Sequence, residues 1–469
     1  MSEVGRPNIV LVVMDTARAK NFSCYGYSKK TTPFLDELAE DNVKYEHVVT
    51  QANWTFPSHA SFFSGEYTFE NGKEQPESCG GLDTFVGELS DKGYRTIAIS
   101  NNNFISADFD YDQIFDEMIY NERHDLYSGL DIDPEELNER HDSELGKYLN
   151  VGKSILGSGK IGRFFEGLSF VAKDKLFLRD SGASETNRKV EEELEGIEDD
   201  FFLFLNYTEP HAKYRPPFPF THKFQENRFM LRRIKEVSDH ELKVYLRSDK
   251  EPEEGLMEIS ENLYNGELNY LDGRMKQLYN YISEEYPNTV FIFTSDHGEY
   301  FYEHEKIGHV AGLHEEVTHV PFIEVFPDGR SEDIEETAEL RNLHDHILEL
   351  SEAETSLMES EGISFSEFYG STKQFLENFI EMDSDIEKYS RYRVCVTTDD
   401  YKLVWYEDGE KKLFSLPGQE IVQNEEATEK LSREIEEKAV NPEEAEVGQT
   451  DIKTEDEEVK KRLEDLGYM

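Results

Sequence analysis

The stretch NTVFIFTSDHGE, residues 288–299, decides the fold class of this 469-residue chain. Its first half is a short run of β-branched and aromatic residues, which is typical of a strand buried on both faces of a parallel sheet. Its second half is polar, and it follows the strand at the edge where parallel sheets bind ligands. The stretch therefore predicts a buried parallel strand that delivers Asp296 and His297 to a ligand-binding edge.

Two further apolar runs have the same character and lie far away in the chain. They are NIVLVVM (8–14) and FFLFLNY (201–207), and Asp15 and His211 follow them closely. Because the carboxyl ends of parallel strands share one edge of a sheet, these polar residues could converge there. The runs predict two more strands of the same sheet.

Helical patterns alternate with these strands. Helices are predicted at 32–41, at 58–65 after Pro57, and at 260–286, while 84–100 predicts a helix, a turn and a strand. This alternation predicts an α/β fold with a mostly parallel central sheet flanked by helices.

The C-terminal part has a different pattern. Residues 390–416 alternate apolar and polar side chains, and turn signals at Asp399–Asp400 and Asp408–Gly409 divide them into three short antiparallel strands. We therefore predict a catalytic domain over 1–355 and a small α+β subdomain over 356–469, which ends in an acidic tail with a surface helix.

Two polar, charged segments interrupt the catalytic domain. They lie near 118–190 and 213–260, and we interpret them as helical insertions, the first of them as a lid. Neither carries a legible motif, so we expect substrate specificity to reside there.

The charge balance excludes several classes of partner. The chain has 101 Asp and Glu against 49 Lys and Arg, a formal net charge of −52. This balance argues against a nucleic-acid binder and against docking on anionic lipid. The 31 Phe and 25 Tyr are enough for a folded core, so the acidity does not indicate disorder. Because acids are spread along the whole chain, we expect a salt-rich cytoplasm, as in a halophilic archaeon.

The cysteines and the apolar runs bear on location. Cys24, Cys79 and Cys395 are too few and too scattered for a disulfide framework. The N-terminal apolar run, 9–14, is too short for a signal peptide, and no stretch is long enough to span a membrane. These features predict a cytoplasmic protein without a membrane span, and they carry no signal for its oligomeric state.

Each candidate site residue has an ordinary interpretation when it is taken alone. Asp15 in MDTAR could cap a helix, and Thr55 in NWTFPSHASFFSG could be a helix cap before Pro57. The Asp296–His297 pair suits a divalent metal but is weak evidence by itself. A lone histidine such as His211 or His309 is as often structural as functional.

Together, these motifs resemble the sulfatase branch of the alkaline-phosphatase superfamily. The resemblance begins at NIVLVVMDTARAKNFSCYGYSKKTTPFLDELAED and continues through TFPSHASFFSG, NYTEPHAKY, TSDHGE and GHVAGLHEEVTHVP, with YKLVW and KLFSL near the end. Several separate motifs in one order are far more specific than any one of them.

The resemblance implies a role for each matching residue. Asp15, Asp296 and His297 match metal ligands, and Thr55 matches the nucleophile, which also contacts the metal. His211 matches the histidine that contacts the ester group. In addition, His309 stands where sulfatases usually carry a lysine and where some phosphoester-cleaving relatives carry a histidine.

Three departures separate the chain from typical sulfatases. Thr55 replaces the Cys or Ser that is converted to formylglycine, so no formylglycine is expected. His59 replaces the arginine that supports formylglycine, and Asp15–Thr16 replaces a pair of aspartates. The remaining set resembles the single-metal site of threonine-nucleophile relatives such as phosphoglycerol transferases.

These features predict a metal-dependent hydrolase of phosphate or sulfate esters, with phosphoesters and phosphodiesters favoured. Thr55 would form a covalent intermediate, and His211 or His309 would protonate the leaving oxygen. Arg18 and His59 would orient the anionic substrate. The cofactor would be one divalent ion, Mn, Mg, Ca or Zn, and the substrate a small anionic or sugar- or lipid-linked ester.

Two other functions remain open at this stage. One is a transferase that passes a phospho group to a sugar or lipid alcohol, and the other is a catalytically degenerate binding protein. Against the latter, every predicted ligand position holds a residue that can bind a metal.

The histidine-rich segment 304–319 allows a second metal. His304, His314 and His319 lie within it, but their spacing does not match two-metal relatives. We interpret them as polar loop residues and predict a single metal.

Overall fold

A computed structural model describes residues 5–73, 78–121, 180–225, 255–309, 312–353, 356–370, 391–439 and 441–443. Its strands are β1 (Asn8–Met14), β2 (Val43–Tyr45), β3 (Val48–Val49), β4 (Arg95–Ser100), β5 (Glu117–Tyr120), β6 (Phe201–Tyr207), β7 (Thr289–Thr294), β8 (Tyr300–Phe301), β9 (Ile307–Gly308), β10 (His319–Val320), β11 (Phe322–Val325), β12 (Glu332–Ile334), β13 (Ala338–Glu339), β14 (Ile363–Phe368), β15 (Arg393–Thr398), β16 (Tyr401–Tyr406), β17 (Lys411–Ser415) and β18 (Glu420–Ile421). Its helices are α1 (Pro33–Asp41), α2 (Thr55–Ser64), α3 (Thr68–Asn71), α4 (Phe85–Asp91), α5 (Ala183–Leu194), α6 (Leu256–Glu285), α7 (Glu315–Thr318), α8 (Leu343–Ser351) and α9 (Glu425–Lys438).

An eight-stranded sheet forms the centre of the molecule, in the order β12-β2-β11-β7-β1-β6-β4-β5. Strand β11 runs antiparallel to both of its neighbours, and the other strands run in one direction. The apolar runs predicted as buried strands are the three central ones, β7, β1 and β6. The predicted α/β class with a mostly parallel sheet is confirmed.

The sheet is buried on both faces, and its central strands are apolar at nearly every position. Ile9, Leu11 and Val13 of β1 pack into the core on the side of α2 and α8. Val10 and Val12 pack into the opposite core, which includes α1, α5 and α6. This two-residue period explains why β1 is a continuous apolar run rather than an alternating one.

Two helix boundaries differ from the sequence prediction. Helix α2 begins at Thr55 rather than after Pro57, because a proline in the first turn removes an N–H that has no partner within the helix. Strand β7 ends at Thr294, so Asp296 and His297 follow the strand as predicted. Helix α6 begins at Leu256, four residues before its predicted start.

The predicted insertions are described only in part. Residues 118–120, at the start of the first predicted insertion, belong to β5, an edge strand of the central sheet. Helix α5 packs on the same sheet and is not part of a lid. The stretches 122–179 and 226–254, on which the lid and most of the insertion predictions rest, lie outside the described residues.

The C-terminal subdomain is an antiparallel sheet of five strands in the order β14-β15-β16-β17-β18. The three strands predicted between 390 and 416 are β15, β16 and β17, and both predicted turns are present, so this prediction is confirmed. Helix α9 packs Leu431 and Ile435 against the sheet. The boundary predicted at residue 355 stays a prediction.

In the ranges that the structure describes, no helix has both the length and the apolar character that crossing a bilayer requires.

Candidate active site

The ends of several elements meet at the carboxyl edge of the central sheet. Asp15 follows β1, Asn102 lies beyond β4, and Asp296 and His297 follow β7, while Thr55 is the first residue of α2. All five side chains are buried. Four of them are fully buried, and Asn102 is 6 % exposed. Sequence and sheet topology together thus bring the residues predicted as metal ligands into one site.

Hydrogen bonds join the loop that carries Asp15 to the loop that carries Asp296. The Ser295 hydroxyl accepts a hydrogen bond from the Ala17 amide at 2.9 Å and lies 2.5 Å from the carbonyl oxygen of Met14. Thr16 lies between Met14 and Ala17 in the chain. It adopts the left-handed conformation with φ of 60°, which is strained for a β-branched residue. Its hydroxyl donates to the carbonyl of Pro210 at 2.8 Å, which holds it there.

The two carboxylate oxygens of Asp296 have different surroundings. Oδ1 accepts hydrogen bonds from the amides of Thr16, at 3.3 Å, and His297, at 2.9 Å. Oδ2 is buried, accepts no hydrogen bond from a described residue, and lies 3.5 Å from His297 Nε2. Burial raises the pKa of Asp296, because a carboxylate in this position lacks the solvation of water.

The backbone fixes the tautomer of His297. Its Nδ1 lies 3.0 Å from the carbonyl oxygen of Gly298, which can only accept, so Nδ1 carries the proton. In the neutral ring the lone pair is therefore on Nε2, which lies 3.3 Å from Thr55 Oγ1 and 3.7 Å from Asp15 Oδ1. Burial, followed by the neighbouring His309, lowers the pKa of His297 well below its ordinary value.

The donor atoms of this cluster converge. One donor atom from each of Asp15, Asp296 and His297 lies within 4.8 Å of the other two. Two buried carboxylates and a neutral imidazole form a donor set that suits a divalent cation. Neutralisation by a cation would offset the cost of burying both carboxylates.

Thr55 is held between this cluster and Asn102. Its position at the start of α2 places it beside the free amides of the first helical turn, where an anion is stabilised. Asn102 Nδ2 donates to Asp15 Oδ2 at 2.5 Å and lies 3.4 Å from Thr55 Oγ1. The amide thus contacts a predicted ligand and the predicted nucleophile at once.

Asn102 was not predicted from the sequence. It lies in the run SNNNF, just beyond β4, and so it follows a strand at the same sheet edge as Asp15 and Asp296. That position is the signal that indicates it, since an asparagine is neither an acid nor a histidine, the residue types expected at this edge.

Two predicted catalytic histidines lie next to the cluster. The ring of His309 is 4.6 Å from that of His297 and 5.5 Å from that of His211, measured between centroids. The structure therefore brings His211, His297 and His309 together. Their catalytic roles stay predictions.

A buried glutamate supports His309. Glu299 Oε1 lies 3.6 Å from His309 Nδ1, and Tyr214 donates its hydroxyl to Glu299 Oε2. Burial alone would raise the pKa of Glu299, but the histidines His309 and His211 and the Tyr214 hydroxyl lower it overall. Glu299 was quoted in the motif TSDHGE, yet its role was not predicted.

His59 lies behind the cluster rather than at its surface. Its Nδ1 donates to the carbonyl of Thr55 at 2.8 Å and lies 3.7 Å from Asp296 Oδ2. The ring packs on Phe62 and Phe204, and burial lowers its pKa to about 4. These contacts favour a positioning role for a neutral His59, and its predicted contact with substrate stays a prediction.

Arg18 is committed to other partners. Its Nη1 contacts Glu303 Oε1 at 2.9 Å, and its Nη2 contacts Glu261 Oε1 at 3.1 Å. Its side chain is 1 % exposed and stacks over the ring of Phe301. The two carboxylates neutralise the charge that was expected to orient an anion, so these contacts favour a structural role, and the predicted substrate contact stays a prediction.

The histidine-rich segment does not form one cluster. His304 and His314 stack on each other with ring centroids 3.8 Å apart. His319 instead faces His47, at 4.8 Å between centroids.

Comparisons with known proteins identify the family and agree with this fold. The sequence model of the family named Sulfatase matches residues 7–353. The uncharacterized sulfatase YidJ of Escherichia coli strain K12 is 24 % identical over 422 residues, which cover 85 % of this chain and 78 % of that protein.

Solved structures show the same fold. A protein in complex with its substrate D-glucosamine-2-N,6-O-disulfate aligns with a TM-score of 0.64 at 15 % identity, over 95 % of this chain and all of that one. The phosphonate monoester hydrolase of Silicibacter pomeroyi aligns with a TM-score of 0.62 at 15 % identity, over 92 % and 94 % of the two chains.

Proposed function

Because the chain belongs to the sulfatase family of hydrolases, we propose that it cleaves phosphate or phosphonate esters in preference to sulfate esters, with Thr55 as the nucleophile. The observation that carries the proposal is the position of Thr55 Oγ1, 3.3 Å from His297 Nε2 in a site that also holds two buried carboxylates.

The preference for phosphorus follows from the chemistry of threonine. A Cys or Ser in this position can be oxidised to an aldehyde, whose hydrate attacks a sulfate ester. Oxidation of a threonine side chain gives a ketone instead, so Thr55 is expected to act as an unmodified hydroxyl. The likeness in fold to a phosphonate monoester hydrolase is in keeping with this preference.

Asp15, Asp296, His297 and Thr55 would hold a divalent cation. They fit this role because Asp296 Oδ2 and His297 Nε2 both direct electron pairs into the same buried space. When bound, a divalent cation supplies charge neutralisation and lowers the pKa of a hydroxyl group.

Each step of the reaction is then carried out by particular residues of the chain. Thr55 loses its proton to solvent, and its oxygen attacks phosphorus in line as the bond from phosphorus to the leaving oxygen breaks. His211 or His309 gives the leaving oxygen a proton. Water then attacks the phosphothreonine, which restores the Thr55 hydroxyl and releases the product. Asn102 holds the side chains of Asp15 and Thr55 in position throughout the reaction.

A substrate panel with a Thr55→Ala variant tests the proposal. We expect cleavage of an aryl phosphate, a phosphodiester or a phosphonate monoester in high salt with added Mn²⁺, Mg²⁺, Ca²⁺ or Zn²⁺, and its loss with EDTA. In Thr55→Ala we expect the rate to fall by more than about a hundredfold, because the covalent step is gone.

Thr68→Ala is a matched control. Thr68 is also a buried helical threonine, and its hydroxyl has no hydrogen-bond partner among the described residues, so its removal should leave turnover unchanged. Near-normal turnover in Thr55→Ala would contradict the proposal. Faster turnover of aryl sulfate than of every phosphorus ester would reverse the preference, and product formed only with an added alcohol would indicate a transferase.

A further inference from the structure

We propose a second metal site, of the zinc type, formed by His47, Glu315 and His319 at the junction of the catalytic domain and the C-terminal sheet. One donor atom from each of these residues lies within 4.8 Å of the other two. The group is separate from the Asp15, Asp296 and His297 cluster, and its ligands are two imidazoles and a carboxylate, which suit zinc better than calcium or magnesium.

Local structure brings the three ligands together. Glu315 is the first residue of α7 and His319 follows its last, so their side chains are four residues apart and lie on one face of a single turn. His47 lies just before β3, which pairs with β10 so that His319 stands opposite Val49. The backbone thus sets the site before any ion binds.

Hydrogen bonds fix the proton on the outer nitrogen of each imidazole. His319 Nε2 lies 3.0 Å from the carbonyl oxygen of Glu46, which can only accept, so this nitrogen carries the proton. The Thr337 hydroxyl donates to Asp399 Oδ1 at 2.7 Å and so accepts from His47 Nδ1, at 2.9 Å. Metal-binding histidines are oriented by the same kind of outer contact.

The inner nitrogens of the neutral rings then direct lone pairs at one carboxylate oxygen. His47 Nε2 lies 2.8 Å and His319 Nδ1 lies 3.8 Å from Glu315 Oε2. Three electron-pair donors at these distances need a positive centre between them, either a proton or a metal ion.

The two distances to Glu315 Oε2 allow a metal ion with small movements, and all three donor atoms lie within 4.8 Å of one another. Zinc bonds of roughly 2.0–2.1 Å place tetrahedral ligand atoms about 3.3 Å apart. The shorter contact would have to open and the longer one close, each by about half an ångström. The three side chains are 14 % to 20 % exposed, which leaves a path for the ion and room for a water as fourth ligand.

Lys402 limits how the carboxylate can bind. Its Nζ lies 2.7 Å from Glu315 Oε1 and 2.5 Å from Thr318 Oγ1, so only Oε2 is available to an ion. Lys402 belongs to β16 of the C-terminal sheet. Glu315 would therefore join a metal on one side to the C-terminal sheet on the other.

The position of α7 suggests that the site stabilises the catalytic loop. The amide of Gly298, next to the predicted ligand His297, donates to the carbonyl of Val317 in α7 at 2.8 Å. An ion that fixes both ends of α7 would hold the surface on which this loop rests, so we assign the site a structural role.

Zinc content in a variant without the catalytic carboxylates tests the proposal. The full chain with Asp15→Asn and Asp296→Asn is stripped with EDTA, equilibrated with zinc, freed of unbound metal by gel filtration and analysed for zinc per chain. We expect one zinc ion per chain, and none when His319→Gln is added. His344→Gln is the matched control, because His344 is paired with Asp345 elsewhere, and it should keep the ion.

A second measurement distinguishes loss of the metal site from misfolding of the His319→Gln chain. Zinc should raise the unfolding temperature of the parent double variant, and cobalt should give it visible absorption bands typical of nitrogen ligation. Both effects should disappear in a His47→Gln version with unchanged circular dichroism. No zinc in the parent double variant, or equal zinc with and without His319→Gln, would show that protons alone join the three residues and would overturn the proposal.

Discussion

Asn102 joins the predicted nucleophile to a predicted metal ligand through one amide group. Its Nδ2 lies 2.5 Å from Asp15 Oδ2 and 3.4 Å from Thr55 Oγ1. Its Oδ1 accepts the amide of Phe104 at 2.8 Å, which fixes which end of the side chain faces the site. Asparagine therefore supplies here a donor that an aspartate could not.

Replacing Asn102 with alanine should lower kcat by about 10- to 100-fold, the usual effect of losing a group that orients a metal ligand. We expect the fold to survive, because the substitution removes only the contacts of this one side chain, to Asp15, to Thr55 and to the amide of Phe104. Steady-state kinetics on the best substrate of the panel would measure the effect. Asn103→Ala is the control, since Asn103 contacts Tyr120 instead of the site, and it should keep near-normal kcat. An equal loss in both variants would contradict this role.

At the scale of elements, the loop between β7 and β8 is packed so closely that one position has no room for a side chain. A Cβ on Gly298 would lie 2.2 Å from the carbonyl oxygen of Glu316 and 2.8 Å from the Cβ of Arg18. A backbone atom cannot yield as the end of a flexible side chain can, so the loop or α7 would have to move.

We expect Gly298→Ala to reduce both stability and turnover, because the loop that would move also carries Asp296 and His297. Gly273→Ala is the matched control. Gly273 lies within α6 with open space around it, and alanine there should stabilise the protein by about 0.5–1 kcal/mol. Thermal unfolding and kinetics of the two variants would check this. A fully active Gly298→Ala enzyme would show that the loop geometry does not matter.

A buried aspartate on α6 holds the start of α1. Asp272 is 2 % exposed, and its carboxylate accepts the amides of Phe34 and Leu35, each at 3.0 Å. Burial raises the pKa of Asp272 to about 7, since the two amides compensate only in part for the lost solvation. The folded state therefore binds a proton here that the unfolded state has already released.

This shift predicts the sign of a pH dependence. Between about pH 4 and pH 7 the contribution of Asp272 to the free energy of unfolding should fall as the pH rises, by up to about 1.4 kcal/mol per unit. Asp272→Asn removes this term and keeps an oxygen for the amides. Urea unfolding of both proteins across this range should show wild type losing stability relative to the variant. A constant difference would contradict the shifted pKa.

At the scale of the whole molecule, the net charge of −52 opposes folding through self-repulsion. Dissolved salt screens this repulsion, with a Debye length of about 3 Å at 1 M. The buried ion pairs, such as Lys402 with Glu315, are screened much less and should persist in salt.

We therefore expect the unfolding temperature to rise as KCl is increased from dilute buffer to multimolar concentration. The apparent KM for an anionic substrate should fall over the same range, because the field of the protein repels the substrate less. Thermal unfolding and kinetics at a series of KCl concentrations would measure both effects, with sorbitol as an uncharged control. Greatest stability in dilute buffer would contradict the expectation of a salt-rich cytoplasm.

The three central strands and the residues that end them could be predicted from the sequence alone. The runs that became β1, β6 and β7 are apolar at nearly every position, and such runs are stable only inside a sheet covered on both faces. Because the ends of parallel strands share one edge, Asp15 and Asp296 could be placed in one site before the structure was known. The alternation at 390–416 similarly predicted β15, β16 and β17.

Which other side chains join these residues could not be predicted from local sequence patterns. Strand β11 and the short β3 and β10 carry too few residues for a periodic signal, and their pairing depends on contacts distant in sequence. That pairing places His47 beside His319, 272 positions along the chain. Similarly, the packing of α6 and of the segment after β8 around the end of β1 gives Arg18 its partners Glu261 and Glu303. Local pattern determines how a segment folds, but the partners of a polar side chain depend on which segments pack around it.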